Sequence, residues 1–154
     1  MWIREMDERS ARKTMEWRYE PPYDLYNDPF SEESLQEKLD GSYRAVLDEN
    51  GELFGFYCTG ESAVIPVGKK LGVYEDAAID IGLGMCPDMT GKGYGRAFMA
   101  AIIEDINTEE TLRLSVAVFN ERAIKLYEAF GFERAHRFET EKNAFITMLR
   151  TSDN

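Results

Sequence analysis

Histidine and cysteine are scarce in this chain: 154 residues hold one His and two Cys. His136 has no CxxC or Cys/His cluster around it, which excludes a structural zinc site and leaves no expected metal. Cys58 and Cys86 are too few for a disulfide framework at this length and suit a reducing compartment, so a cytoplasmic location is expected. Basic residues are in deficit, 18 Lys and Arg against 29 Asp and Glu, a net charge of -11. A nucleic-acid or anionic-membrane partner would require a basic patch, so neither is expected, whereas a cationic substrate is compatible. No run of 18 apolar residues occurs, and the opening "MWIREMDERSARK" lacks the apolar segment of a signal peptide. Internal repeats and long Pro- or Ser-rich linkers are also missing, which points to one domain over 1–154.

The polar stretch from 8 to 40 reads as helical. A helix over "SARKTMEW" has Ser10 as its candidate cap, Pro21 and Pro22 break the chain, and Ser31 caps a short helix over "SEESLQEKLD". "SYRAVLDENGELFGFYCTG" places two apolar runs around Asn50-Gly51, a two-residue hairpin signal. "SAVIPVGKKLGVY" reads as extended or looped. "AAIDIGLGM" (77–85) reads as a strand. Phe98, Met99, Ile102, Ile103 and Ile106 then recur at helical spacing. "LRLSVAVF" alternates as a strand, "NERAIKLYEAF" is a helix stopped by Gly131, and "AFITMLR" closes as a strand. The order gives a mixed α/β layer structure around one sheet.

Between strand and helix stands "PDMTGKGYGRAFM" (87–99), with Gly91, Gly93 and Gly95 within five positions. Backbone this bare ahead of a helix suits close approach of an anion, because free N–H groups and the helix dipole favour negative charge. The phosphate-loop pattern GxxxxGK[ST] is not met. Nor is GxGxxG: Arg96 stands where the last Gly of a Gly91-x-Gly93 start would fall, and Phe98 where that of a Gly93-x-Gly95 start would fall.

The stretch Thr90-Gly91-Lys92-Gly93-Tyr94-Gly95 resembles the pyrophosphate loop of the GCN5-related N-acetyltransferase superfamily, [Q/R]-x-x-G-x-[G/A], with Thr90 in place of the usual Gln or Arg. "NERAIKLYEAFGF" (120–132) resembles the same superfamily's N-x-x-A-x-x-L-Y-x-x-x-G-F block, matched at Asn120, Ala123, Leu126, Tyr127, Gly131 and Phe132. The resemblance covers roughly 77–149, the expected acetyl-CoA-binding core, and leaves 1–40 as an acceptor-side region. It implies an α/β (α+β) acyl-CoA N-acyltransferase fold: a single mixed, mostly antiparallel sheet with splayed central strands and helices on both faces. It further implies acetyl-CoA as acyl donor. The 90–95 amides, Lys92 and Arg96 would hold its pyrophosphate, and its pantetheine would lie between strands 77–86 and 112–119, with Gly84, Met85 and Cys86 offering backbone groups.

By the same resemblance Tyr127 would protonate the leaving thiolate. Packing is the plainer alternative, since Ala123, Tyr127 and Phe130 share a helical face. Asn120 is a helix cap, a cofactor contact, or both. The general base is open: some relatives carry a glutamate where Ser115 stands here, and Asp80 or a water chain could replace it. Cys86 as a covalent nucleophile is disfavoured for want of a neighbouring base. Trp17, Tyr19, Tyr23 and Tyr26 either face the acceptor or form an aromatic core. The expected activity is direct transfer of acetyl to the primary amine of a small molecule, a protein N-terminus or a lysine. A homodimer is one option for assembly. A non-catalytic acyl-CoA-binding module on the same fold is the alternative.

Overall fold

A computed structural model describes residues 1–152. Seven strands form one sheet in the order β1-β2-β3-β4-β5-β7-β6: β1 (Trp2–Glu5), β2 (Tyr43–Leu47), β3 (Leu53–Thr59), β4 (Ile79–Met85), β5 (Leu112–Ala117), β6 (Glu133–Glu139) and β7 (Ala144–Arg150). The helices are α1 (Glu8–Glu16), α2 (Glu32–Lys38), α3 (Pro66–Lys70), α4 (Gly95–Ile106) and α5 (Glu121–Ala129). The expected mixed, mostly antiparallel sheet is what forms. β4 and β5 pair in parallel, over Ile79–Leu112 and Asp80–Arg113, while β1–β2, β2–β3, β5–β7 and β6–β7 pair antiparallel. The chain divides into two compact units: Met1–Cys58 with Leu83–Ile106, and Thr59–Gly82 with the chain from Asn107.

In the first unit, Asp7 caps α1, because its carboxylate accepts from the Ser10 N–H at 2.7 Å. This corrects Ser10 as the cap: Ser10 is instead a buried residue of the first turn. The Ser10 bond holds the Asp7 carboxyl below its ordinary value. Ala11 and Met15, four residues apart on α1, pack against Leu35 of α2, with Met6 and Leu39 at the edge. Ser31 caps α2 as expected. The β2–β3 connection is longer than the two-residue turn expected. Asp48 N–H bonds Glu52 O at 2.9 Å, the Asp48 carboxylate takes the Asn50 and Glu52 N–H groups, and only Gly51 is left-handed, at φ 81°. The Asp48 side chain thus sets the turn and overrides the Asn-Gly signal. Phe98 and Ile102 of α4 pack with Val46, Phe54 and Tyr57 to form the core of this unit. β1 carries no alternating pattern to reveal it, and three of its four residues are exposed.

In the second unit, β5 is buried on both faces. Leu112, Leu114 and Val116 are covered on one, Arg113 and Ala117 on the other. The stretch expected to be extended or looped instead contains a 3-10 turn (Gly60–Ala63) and α3, which Pro66 opens at its first position. Gly68 lets α3 sit close to its surroundings, since a Cβ there would come within 2.9 Å of the Phe138 and Tyr74 rings. β6 was not foreseen: as an edge strand it exposes every residue except Phe138, so "ERAHRFE" shows no apolar alternation. His136 is exposed on it.

Candidate active site

The glycine-rich stretch follows a 3-10 turn, Pro87–Met89. The Thr90 hydroxyl donates back into that turn, to Pro87 O at 2.8 Å, so its side chain closes the bend. Gly91 and Gly93 have φ of 73° and 86°, a region other residues enter with strain. A Cβ at Gly93 would meet no atom within 4 Å, so the space above this backbone is open. Tyr94 O accepts the first helical bond of α4, from the Phe98 N–H at 3.0 Å, and the ring of Tyr94 stands edge-on to Phe54. The N–H groups of the opening turn of α4 have no intrahelical partner by the geometry of any helix start. No acidic residue lies in that turn, while Lys92 and Arg96 flank it, exposed. Bare backbone donors, two cations and open space fit a phosphate-bearing group.

The C-terminal half of β4 belongs to the same unit. Cys86 N–H bonds Phe54 O at 2.8 Å. Close backbone approach here depends on glycine: a Cβ on Gly55 would lie 2.5 Å from Gly84 O, and one on Gly84 2.5 Å from the Phe56 ring. Phe56 is fixed in turn by Trp17, stacked at 6.1 Å, by Tyr43 at 5.7 Å, and by the buried ammonium of Lys38, which pairs with Asp28 and lies 5.9 Å from the Phe56 ring centre. Trp17 is therefore part of an aromatic support beneath the strand. Tyr19 does something different: its hydroxyl donates to Met85 O at 2.6 Å. Burial, then the neighbouring Cys86 thiol, push its phenol well above the ordinary value, so it stays protonated. Cys58 is buried and Cys86 half-buried, and neither forms a disulfide.

Asn120, Tyr127 and Asp80 lie in the second unit. Asn120 caps α5 by accepting from the Ala123 N–H at 3.4 Å. The end of α5 closes as a Schellman turn: Gly131, at φ 89°, donates to Glu128 O, and Phe132 N–H donates to Tyr127 O at 3.1 Å. The Phe132 ring then meets the Tyr127 ring edge-on at 6.0 Å. Asn, Gly and Phe of the downstream block thus have local folding reasons, and Tyr127, 8% exposed, sits where they place it.

Asp80 takes both arms of one guanidinium, from Arg113 Nε at 2.6 Å and Nη2 at 2.9 Å. Arg113 also donates to Asp76 O and Tyr74 O and lies over the Tyr74 ring, and its Asp80 bonds raise its pKa further. The Tyr74 hydroxyl accepts the Ile65 N–H and shares a 2.5 Å hydrogen bond with Ser115 Oγ. A carboxylate clamped in this way is built for an ion pair, which removes the reason for reading Asp80 as a base. Tyr74 and Arg113 were missed from the sequence. The signal for Arg113 was available: one acidic and one basic residue, each inside an apolar strand, call for each other.

Among the described residues no group of three or more His, Cys, Asp or Glu side chains could hold a metal ion, and no helix is long and apolar enough to cross a membrane. No curated protein matches the sequence. Solved structures resemble it over nearly its whole length. A spermidine N-acetyltransferase SpeG chimera from Vibrio cholerae and hSSAT superposes with a TM-score of 0.68 at 19% identity, covering 99% of this chain and 96% of that one. A GNAT superfamily phosphinothricin acetyltransferase from Sinorhizobium meliloti in complex with AcCoA does so with 0.68 at 17% identity, covering 97% and 86%. The yncA protein from Salmonella typhimurium with its cofactor acetyl-CoA gives 0.66 at 15% identity, covering 99% and 94%. At these identities the likeness is one of fold. The model of the acetyltransferase (GNAT) family matches residues 11–132, most of the sequence, and on that ground the chain belongs to the acetyltransferase (GNAT) family.

Proposed function

We propose that this protein is an acetyl-CoA-dependent N-acetyltransferase that transfers acetyl to a primary amine by direct attack, in a reducing cytoplasm. The observation that carries the reading is the continuous run from Gly84 to Arg96: a strand end beside an open, left-handed glycine loop that leads into a cation-flanked helix start. The thioester of the donor supplies the activated acetyl group. In this reading the amides of 91–95, with Lys92 and Arg96, take the pyrophosphate, and Gly84 and Met85 offer backbone groups to the pantetheine amides. Cys86, expected to join them, has its N–H taken by Phe54 O at 2.8 Å and its C=O by the Met89 N–H at 2.9 Å. The Met85 N–H polarises the thioester carbonyl, as a fixed donor aimed at developing negative charge. Tyr127 donates its proton to the departing thiolate. Asn120 keeps the helix start that carries this tyrosine in place. Asp80 serves as a counter-charge to Arg113 and takes no proton, so the amine loses its proton through water and backbone carbonyls. The spermidine and phosphinothricin named for the two similar structures are sensible first members of an acceptor panel.

The test has two readouts. Acetyl-CoA should raise the melting temperature, as any ligand of the native state does. Gly93→Val should abolish that rise, because its side chain fills the open space and strains a backbone at φ 86°. Thiol release with an amine panel then separates an enzyme from a silent acyl-CoA binder. A melting curve unmoved by millimolar acetyl-CoA would overturn the reading.

A further inference from the structure

The peptide between Met85 and Cys86 is trans, since the one cis bond among the described residues joins Pro21 and Pro22. Its N–H and C=O therefore point in opposite directions. The Cys86 N–H is bonded to Phe54 O on β3, so Met85 C=O is directed to the other side of β4. In an extended residue the N–H and C=O face the same edge. The Met85 N–H thus faces the same way as its carbonyl, and the Tyr19 hydroxyl, 2.6 Å from that carbonyl, stands beside it. Tyr19 is not a loose surface side chain. Its own N–H donates to Asn27 Oδ1 at 2.7 Å, Tyr26 packs edge-on to its ring, and Arg18 ties down the preceding turn by donating to Met15 O and Trp17 O.

A phenol has one proton and two acceptor lone pairs. The proton is committed to Met85 O, which leaves the lone pairs as acceptors at the strand edge. We propose that the Tyr19 oxygen seats the acceptor amine, accepting one of its N–H bonds next to the Met85 N–H. The inference rests on the transferase reading and adds a residue to it. The amine lone pair forms the C–N bond while the carbonyl pair moves onto oxygen. That pair then returns, the C–S bond breaks, and the net proton passes from nitrogen to sulfur. Tyr19 takes none of it. Its bond strengthens as nitrogen becomes cationic in the transition state, which is where a hydrogen bond accelerates a reaction. The seat needs one N–H that is kept and the reaction needs one that is lost, so a primary amine is favoured over its N-methyl derivative.

The experiment uses the full chain, acetyl-CoA, spermidine or whichever panel amine reacts, and the N-methyl analogue of that amine. Tyr19→Phe should lower kcat/KM for the primary amine about 10- to 100-fold, the range for a hydrogen bond to a charged group. It should erase the preference for the primary amine and leave the acetyl-CoA melting shift unchanged. Asn27→Ala, which frees the Tyr19 backbone but keeps the hydroxyl, should erode the same preference to a lesser degree and covers the case of a poorly folding Tyr19 variant. A retained preference in Tyr19→Phe, or an equal loss of acetyl-CoA binding, overturns the seat and reduces Tyr19 to a brace for β4. Wild-type protein that binds acetyl-CoA but releases no thiol with any amine fails the transferase reading itself, and the seat with it.

Discussion

Replacing Asp80 by Asn removes one charge from a pair whose other member cannot reach water. The Arg113 side chain is 3% exposed and that of Asp80 14%. Asp80 supplies two of the four acceptors of the guanidinium, and the other two are the carbonyls of Asp76 and Tyr74. An Asn can offer one carbonyl oxygen but no countercharge. Breaking a buried pair from one side costs about 3–5 kcal/mol, because a charge is left buried and uncompensated. For a chain of this length each kcal/mol lowers Tm by about 2–4 °C, so Asp80→Asn should melt roughly 6–20 °C below wild type. The double variant Asp80→Leu with Arg113→Met should recover most of that loss, since apolar replacement of a whole buried pair is close to neutral. Differential scanning calorimetry reads all three. The opposite outcome is equally clear. If Asp80→Asn melts within about 2 °C of wild type yet loses thiol release, the carboxylate is a base and the ion-pair argument fails.

Tyr127→Phe keeps the edge-on contact with Phe132 and the helix end, so its stability and acetyl-CoA binding should hold while kcat falls about 10²–10⁴-fold, the usual worth of general acid catalysis. Unchanged turnover would return Tyr127 to packing. Asp7→Ala removes the cap of α1 and should cost about 1 kcal/mol in urea denaturation at pH 7. The native state lowers the Asp7 pKa from 3.8, so this contribution is full above that value. It is lost as pH falls through the lower folded value, and the gap between variant and wild type should close there.

Local chemistry made some elements legible in the sequence, and those readings survive. Ser31, Asn120 and Gly131 mark helix ends because a hydroxyl, an amide oxygen and a left-handed φ each act within a few residues. The glycine loop was legible for the same reason: Gly91 and Gly93 take positive φ where other side chains would be strained. The Asn50-Gly51 signal failed when Asp48 offered its neighbours a better hydrogen-bonding arrangement. β1 and β6 stayed hidden because edge strands bury one face poorly and need no apolar alternation, so only pairing with β2 and β7 defines them.

Long-range contacts decided the chemistry around the candidate residues. No spacing rule brings Tyr19 to Met85, 66 positions away, or Asp80 to Arg113, 33 positions away. The first contact follows from the Met85–Cys86 peptide turning its carbonyl away from β3, the second from two apolar strands that pair in parallel and must neutralise the charges they bury. The sequence determined which backbone is bare and left-handed ahead of a helix, at Gly91 and Gly93. The tertiary structure decided which carboxylate is taken by an arginine and which hydroxyl stands at the strand edge, because those are properties of partners and not of residue types.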